Sequence, residues 1–224
     1  MQQLLLALAP PPAPTLENFF PGHNRAALKA LRAALGSGER FVYLWGASGT
    51  GKTHLLRGFA QAAGESAAYF QAGSADWKRA ERLHATALDD VSRLDESGQI
   101  ALFDLCNRLR AADGALAASG EAPPAALALR PDLRSRLASG IVLQLQPLGD
   151  ADKAQALREH AAARGLSLDE DLIQYLLTHF DRDMGSQIAL LDALDRYSLQ
   201  RKRPITLPLA REAFQEFMTR GAQH

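Results

Sequence analysis

Short apolar runs alternate with longer helical patterns between residues 41 and 145. Phe-Val-Tyr-Leu-Trp at 41–45 has the continuous apolar character of a buried strand, and Ile-Val-Leu-Gln-Leu at 141–145 is a second clear strand signal. Weaker strand signals fall at 67–70, 85–88 and 115–118. The last two are alanine-rich, and alanine prefers helix. Helical patterns fill intervals at 53–63, 100–112 and 132–138. Strands alternating with helices predict an α/β fold, a parallel sheet with helices on both faces. After Pro147 the apolar period is helical. One helix spans 150–164 and stops at Gly165. Leu172, Ile173, Leu176 and Leu177 recur at helical spacing, as do Ile188, Leu191 and Leu194. An extended link at 204–208 precedes a last helix at 209–219. The pattern thus divides the chain into a tail at 1–14, a sheet domain at 15–149 and a small all-helical domain at 150–224.

Composition narrows the possibilities. The 224 residues are 47% hydrophobic, ordinary for a globular chain, which excludes wholesale disorder. Lys plus Arg and Asp plus Glu both total 25, so the net charge is zero. That balance argues against a protein that grips nucleic acid through phosphate neutralisation alone. A single cysteine, Cys106, excludes an internal disulfide framework and fits a reducing compartment. The apolar stretch near the start is broken by prolines at 10, 11, 12 and 14. It is too short for a membrane span and lacks the basic flank of a secretory signal, so a cytoplasmic location is expected, with no membrane partner. The prolines themselves favour an extended spacer.

The most specific chemistry lies at Gly46-Ala47-Ser48-Gly49-Thr50-Gly51-Lys52-Thr53, which fits G-x-x-x-x-G-K-[ST] between a strand and a helix. Glycines let successive backbone N–H groups turn inward onto phosphate oxygens, and the helix start adds its positive dipole end. Lys52 can reach the outer phosphates, and the Thr53 hydroxyl can ligate Mg²⁺. A strand-end acid is also required: Asp89 would hold Mg²⁺, and Asp90 would orient or activate an attacking water. Taken alone, this pair of acids fits an ordinary turn or helix cap as well.

An ordered set of segments resembles the AAA+ ATPases related to the bacterial replication initiator DnaA, and most closely the short Hda family of its regulatory inactivators. These are Leu16-Glu17-Asn18-Phe19-Phe20-Pro21-Gly22-His23-Asn24, the phosphate loop, Asp89-Asp90, Phe103-Asp104-Leu105-Cys106-Asn107-Arg108-Leu109, Ser119-Gly120-Glu121-Ala122-Pro123-Pro124, Pro131-Asp132-Leu133-Arg134-Ser135-Arg136-Leu137 and Gln146-Pro147-Leu148. The resemblance implies a P-loop AAA+ base with a helical lid, and ADP or ATP with Mg²⁺ as cofactors. It places Phe19 and Asn24 beside the adenine and Ser119 in the first sensor loop. Gly46, Gly49, Thr50, Gly51, Lys52, Thr53 and His54 then form the nucleotide-contacting stretch, although His54 by itself reads as an ordinary helix residue. Arg136 falls in the arginine-finger segment, where it would act in trans on ATP held by DnaA. Gln3-Leu4-Leu5-Leu6-Ala7 is similar to the family's Q-L-x-L-P motif for the sliding clamp, the β subunit of DNA polymerase III. Gln3 would bond a groove's backbone while Leu4 and Leu6 fill apolar pockets. The pentapeptide alone reads as a frayed apolar terminus, and Ala7 replaces the motif's proline.

Two departures bear on mechanism. The family's second sensor is an arginine at the start of the third lid helix, and Asp183-Met184-Gly185 places Gly185 there. Arg182 is three positions earlier and would point about 60° away around a helix. Ala122 stands where relatives often carry arginine. Without those cations at the γ-phosphate, intrinsic ATP hydrolysis should be weak, and ADP is favoured as the resident nucleotide. The expected function is an adaptor that restrains replication initiation by binding the clamp and promoting hydrolysis of DnaA-bound ATP. With no helix-turn-helix segment after the lid, direct sequence-specific DNA binding is not expected. Self-association stays open. The alternative is a stand-alone loader or motor ATPase acting in replication; a small-molecule kinase would need a substrate lid signature that the sequence lacks. The six histidines lack metal-type spacing, and the basic cluster at 200–203 reads as a solvated turn.

Overall fold

A computed structural model describes residues 13–36, 38–180 and 184–221, with side chains to residue 216. The chain divides into two compact units between Pro147 and Leu148. The first is built on five parallel strands: β1 (Phe41–Trp45), β2 (Ala67–Gln71), β3 (Ala85–Asp89), β4 (Ala115–Gly120) and β5 (Ile141–Gln144). Their order across the sheet is β2-β3-β4-β1-β5. Five helices accompany them: α1 (Arg25–Ala34), α2 (Lys52–Ala62), the single turn α3 (Trp77–Ala80), α4 (Glu96–Ala111) and α5 (Pro131–Ala138).

Side-chain alternation along β1 shows how the two faces are filled. Phe41 and Tyr43 enter one core with Leu102, Leu105 and Leu109 of α4 and Leu133 and Leu137 of α5. Val42 and Leu44 enter the other with Leu31 of α1 and Leu55, Leu56 and Phe59 of α2. A strand covered on both faces needs apolar residues at every position, which is why 41–45 shows no polar alternation. The same constraint explains β4. All six of its residues are buried, Ser119 and Gly120 included. The sequence signal ended two residues earlier, because alanine, serine and glycine have low strand preference. Here packing between two helical layers outweighs that preference.

The topology also selects where a ligand can sit. The path from β1 to β2 runs through α2 on one face, whereas the path from β4 to β5 crosses β1 through α5 on the other. Neighbouring strands whose connections leave on opposite faces open a crevice at their carboxyl ends. The loop at 46–51 occupies that end of β1.

Several elements depart from the sequence expectation. Helix α4 begins at Glu96, before the apolar period becomes visible, because the Asp95 side chain caps it by accepting from the Gly98 N–H at 2.7 Å. Helix α1, whose alanines and Leu31 line the second core, had no assigned pattern.

The second unit comprises α6 (Asp150–Ala162), α7 (Glu170–His179), α8 (Met184–Arg201) and α9 (Leu207–Gly221). Leu157, Leu172, Ile173, Leu176, Leu191, Leu194 and Leu209 form its core. Helix α9 starts within the expected extended link, with Pro208 in its first turn, where a missing N–H costs nothing.

In the first unit, the segment before α1 crosses α2 at Gly58. A Cβ there would lie 2.7 Å from the Thr15 carbonyl carbon and 2.8 Å from the Leu16 nitrogen. Both obstacles are backbone, and Leu16 is itself buried. Gly58→Ala should therefore destabilise the protein by ~1–2 kcal/mol in urea unfolding, despite a helix-propensity gain of ~1 kcal/mol. A more stable variant would show that this crossing is not tight.

Candidate functional site

The phosphate loop folds as its glycines require. At Gly51 the backbone is left-handed, with φ 94°, and a Cβ would come within 2.8 Å of the Phe19 ring. At Gly46 a Cβ would approach the Leu145 carbonyl oxygen to 2.5 Å, so only glycine lets the chain leave β1 beside β5. Thr50 closes the turn by donating its hydroxyl to the Ala47 carbonyl at 2.9 Å. The Lys52 ammonium donates to the carbonyls of Gly46 and Ala47 at 2.7 and 2.9 Å, which holds it over the loop. Helix α2 then begins with no side-chain cap and no acidic residue in its first turn. Its leading N–H groups are therefore available to an anion.

Beside the loop, Thr53 donates to Asp89 Oδ2 at 2.6 Å, which brings together the two residues expected on the metal side. Tyr69 donates to the same oxygen at 2.8 Å, and the Ser119 hydroxyl donates to Oδ1 at 2.5 Å. Ser119 in turn accepts from the Asp90 N–H at 3.0 Å. It is fully buried in β4, so its polar capacity is directed to the two acids. Asp90 takes a left-handed backbone, φ 59°, and its carboxylate accepts from Ser92 and pairs with Arg93 at 2.9 Å. Asp90 is thus turned into a local ion pair.

The donors beside the loop suit a hard divalent cation. Thr53 and Asp89 offer a hydroxyl and a carboxylate oxygen, and among the described residues no group of three or more His, Cys, Asp or Glu is assembled for a metal. An ion there would draw its remaining ligands from phosphate and water, the coordination habit of Mg²⁺.

Residues expected near the adenine fall into two roles. Asn24 is buried and clamps the exit from β5: its amide donates to the Gln146 carbonyl at 2.9 Å and accepts from the Gln146 N–H at 2.8 Å. Phe19 lies against the loop at Gly51, with its ring centroid 5.4 Å from that of His54. His54 Nε2 faces two acceptors, the Thr15 carbonyl at 3.0 Å and Asn18 Oδ1 at 2.9 Å, so this nitrogen bears the proton.

Arg136 lies on α5, half-buried, with its guanidinium 5.5 Å from the centre of the Phe103 ring on α4. Among the described residues it meets no carboxylate, unlike Arg130, which pairs with Asp132 at 2.9 Å. Gly185 falls in the first turn of α8. Gln3, Leu4, Leu6 and Arg182 lie outside the described residues. Tyr69 carries no site signal in the sequence, since an aromatic within an apolar run reads as core.

Residues 150–214 match the family model of the Hda lid domain. The chain is also similar to AMPPCP-bound DnaA from Aquifex aeolicus, at 26% identity and a TM-score of 0.67, over 85% of this chain and 69% of that one. Domain III of the Thermotoga maritima replication initiation protein DnaA has 21% identity and a TM-score of 0.69, over 92% and 97%. A Thermotoga maritima RuvB mutant has 18% identity and a TM-score of 0.65, over 93% and 73%. The last two likenesses concern fold alone. The sheet and the helical unit after it form an AAA+ base and lid. Among the described residues no helix is long and apolar enough to cross a membrane.

Burial holds the His54 imidazole below its usual value of 6.5, partly countered by the Thr15 carbonyl. Below that value the folded state binds fewer protons than the unfolded one, so this stability contribution is present at higher pH and is lost as pH falls. Between about pH 7 and about pH 5, wild type should lose more urea resistance than His54→Gln. Equal losses would remove His54 from the pH response.

Proposed function

We propose that this Hda-like, DnaA-related AAA+ protein is an adaptor that binds an adenine nucleotide and promotes hydrolysis of ATP held by DnaA. The loop's inward N–H groups and Lys52 would hold the phosphates, with Gly46, Gly49, Thr50 and Gly51 shaping the turn. Phe19 and His54 would border the nucleotide, and Asn24 would keep the neighbouring strand exit in place. Mg²⁺, when bound, would neutralise phosphate charge, and Thr53 and Asp89 are the residues suited to hold it. The direct Thr53–Asp89 hydrogen bond at the end of the phosphate loop is the observation that supports nucleotide binding most strongly.

An adaptor role is favoured over a stand-alone motor by three features of the chain. Its lid matches that of Hda. Gly185 supplies no cation at the expected second-sensor position. Asp90, the candidate for activating water, is paired with Arg93. Intrinsic turnover would accordingly be weak, with ADP or ATP serving mainly to order the base. Arg136 would instead be presented to DnaA, where a guanidinium can stabilise charge on the transferring phosphoryl group. Gln3, Leu4 and Leu6 would recruit the chain to the DNA-loaded clamp.

Replacing Lys52 by Ala should weaken adenine-nucleotide binding about 10- to 100-fold in a fluorescence titration, through loss of charge-assisted hydrogen bonds. Undiminished affinity would count against the phosphate-loop assignment.

The adaptor reading is tested by hydrolysis of ATP preloaded on DnaA, in the presence of clamp and DNA. Wild type should stimulate it, whereas Arg136→Ala and a deletion of residues 1–9 should leave DnaA near its unstimulated rate. Full stimulation by Arg136→Ala would remove that residue from the mechanism; full stimulation by the deletion would remove the clamp-binding segment.

A further inference from the structure

We propose that Tyr69 is a positioning residue for Asp89: its phenol fixes the carboxylate beside Thr53 and thereby sets how tightly the site holds a divalent cation with a nucleotide. The inference rests on the nucleotide-binding reading above and concerns a residue to which that reading gave no role.

The sheet register creates the contact. Tyr69 of β2 is paired with Ala87 of β3, and Gln71 with Asp89. Tyr69 and Asp89 are therefore diagonal neighbours on one sheet face, two positions apart along the strands. Ala87 presents only a methyl group between them, so the long phenol can reach along β3 and donate to Oδ2 at 2.8 Å. Helix α2 holds the same pair from above. Thr53 donates to Asp89, and one turn later Arg57 places its guanidinium carbon 4.9 Å from the centre of the Tyr69 ring.

The three donors to Asp89 are not equivalent. Ser119 holds Oδ1, whereas Thr53 and Tyr69 share Oδ2. Thr53 is itself a candidate metal ligand, so its oxygen would have to serve a cation while its proton stays on the carboxylate. Tyr69 has no such second duty. Its hydroxyl can hold Oδ2 in place whatever the Thr53 oxygen contacts, which leaves the carboxylate little freedom to rotate. Outer partners of this kind commonly change metal affinity about 10- to 100-fold when removed.

Tyr69→Phe keeps a ring beneath Arg57 and deletes only the hydroxyl. Binding of a fluorescent ADP analogue to the full chain should be followed at increasing Mg²⁺ concentrations and separately in EDTA. The Mg²⁺ concentration for half-maximal enhancement is expected to rise about 10-fold, while affinity in EDTA stays within about twofold of wild type. An unchanged Mg²⁺ midpoint, or an equal loss with and without Mg²⁺, would overturn the positioning role. If the substitution prevents folding, Arg57→Ala, which retains the hydroxyl but loosens the ring, should shift the same midpoint upward by a smaller factor; no shift would again overturn the proposal. Failure of wild type to bind the analogue under either condition would instead refute the nucleotide-binding reading and this inference with it.

Discussion

Burial of the Asp89 carboxylate at the end of β3 is the constraint around which the base is organised. A carboxylate withdrawn from water loses the solvent's hydrogen bonds and must regain them from protein. Here the replacement donors come from three different elements: Thr53 from α2, Tyr69 from β2 and Ser119 from β4. Removing the Ser119 hydroxyl would leave buried Oδ1 without its donor, at a cost of about 1–3 kcal/mol, whereas Oδ2 keeps one donor when either Thr53 or Tyr69 is lost. The carboxylate thus ties the start of α2 to the central strands, and the same bonds align the phosphate loop with the acid that faces it.

That alignment depends on the sheet order. Placing β1 between β4 and β5 brings the loop after β1 beside the ends of β3 and β4, although the intervening sequence is long. Small residues in β4 make the arrangement possible by letting helical layers cover both faces closely. Tyr43 shows the consequence at the strand ends: its hydroxyl donates to the Ala122 carbonyl at 3.0 Å, and a Cβ on Gly120 would fall 2.1 Å from the Tyr43 hydroxyl oxygen. The segment after β4 is therefore set by packing beneath it as well as by its own residues.

The site combines a glycine-shaped loop at a helix start with few groups disposed for chemistry of its own. Asp90 is drawn toward Ser92 and Arg93, and Gly185 contributes no side-chain charge. Arg136, by contrast, rests on Phe103 without a carboxylate partner among the described residues. An arginine whose stem packs on an aromatic ring keeps its planar head oriented without neutralising it. This distribution of charge leaves Arg136, among the described residues, as a cation not committed to a carboxylate.

The phosphate loop, β1, β5 and the helical second unit were legible because each rests on local rules: glycines at a tight turn, continuous apolar runs and a 3.6-residue period. The segments resembling DnaA-related AAA+ proteins also pointed to this fold. Helix α1 has a helical period at Ala27, Ala30, Leu31 and Ala34, but it is built mostly of alanine and so is faint in the sequence. Other features have no local signature: β4 extends into residues with weak strand preference, and Asn24 clamps Gln146. Nothing in an Ala-Ala-Tyr-Phe run distinguishes a core tyrosine from one bonded to an acid twenty residues away. Sequence alone determined which residues can curl around phosphate, because backbone freedom and helix polarity are encoded over a few neighbouring positions. Tertiary structure decided which groups hold Asp89, because strand order and register bring Thr53, Tyr69 and Ser119 to one carboxylate from distant parts of the chain.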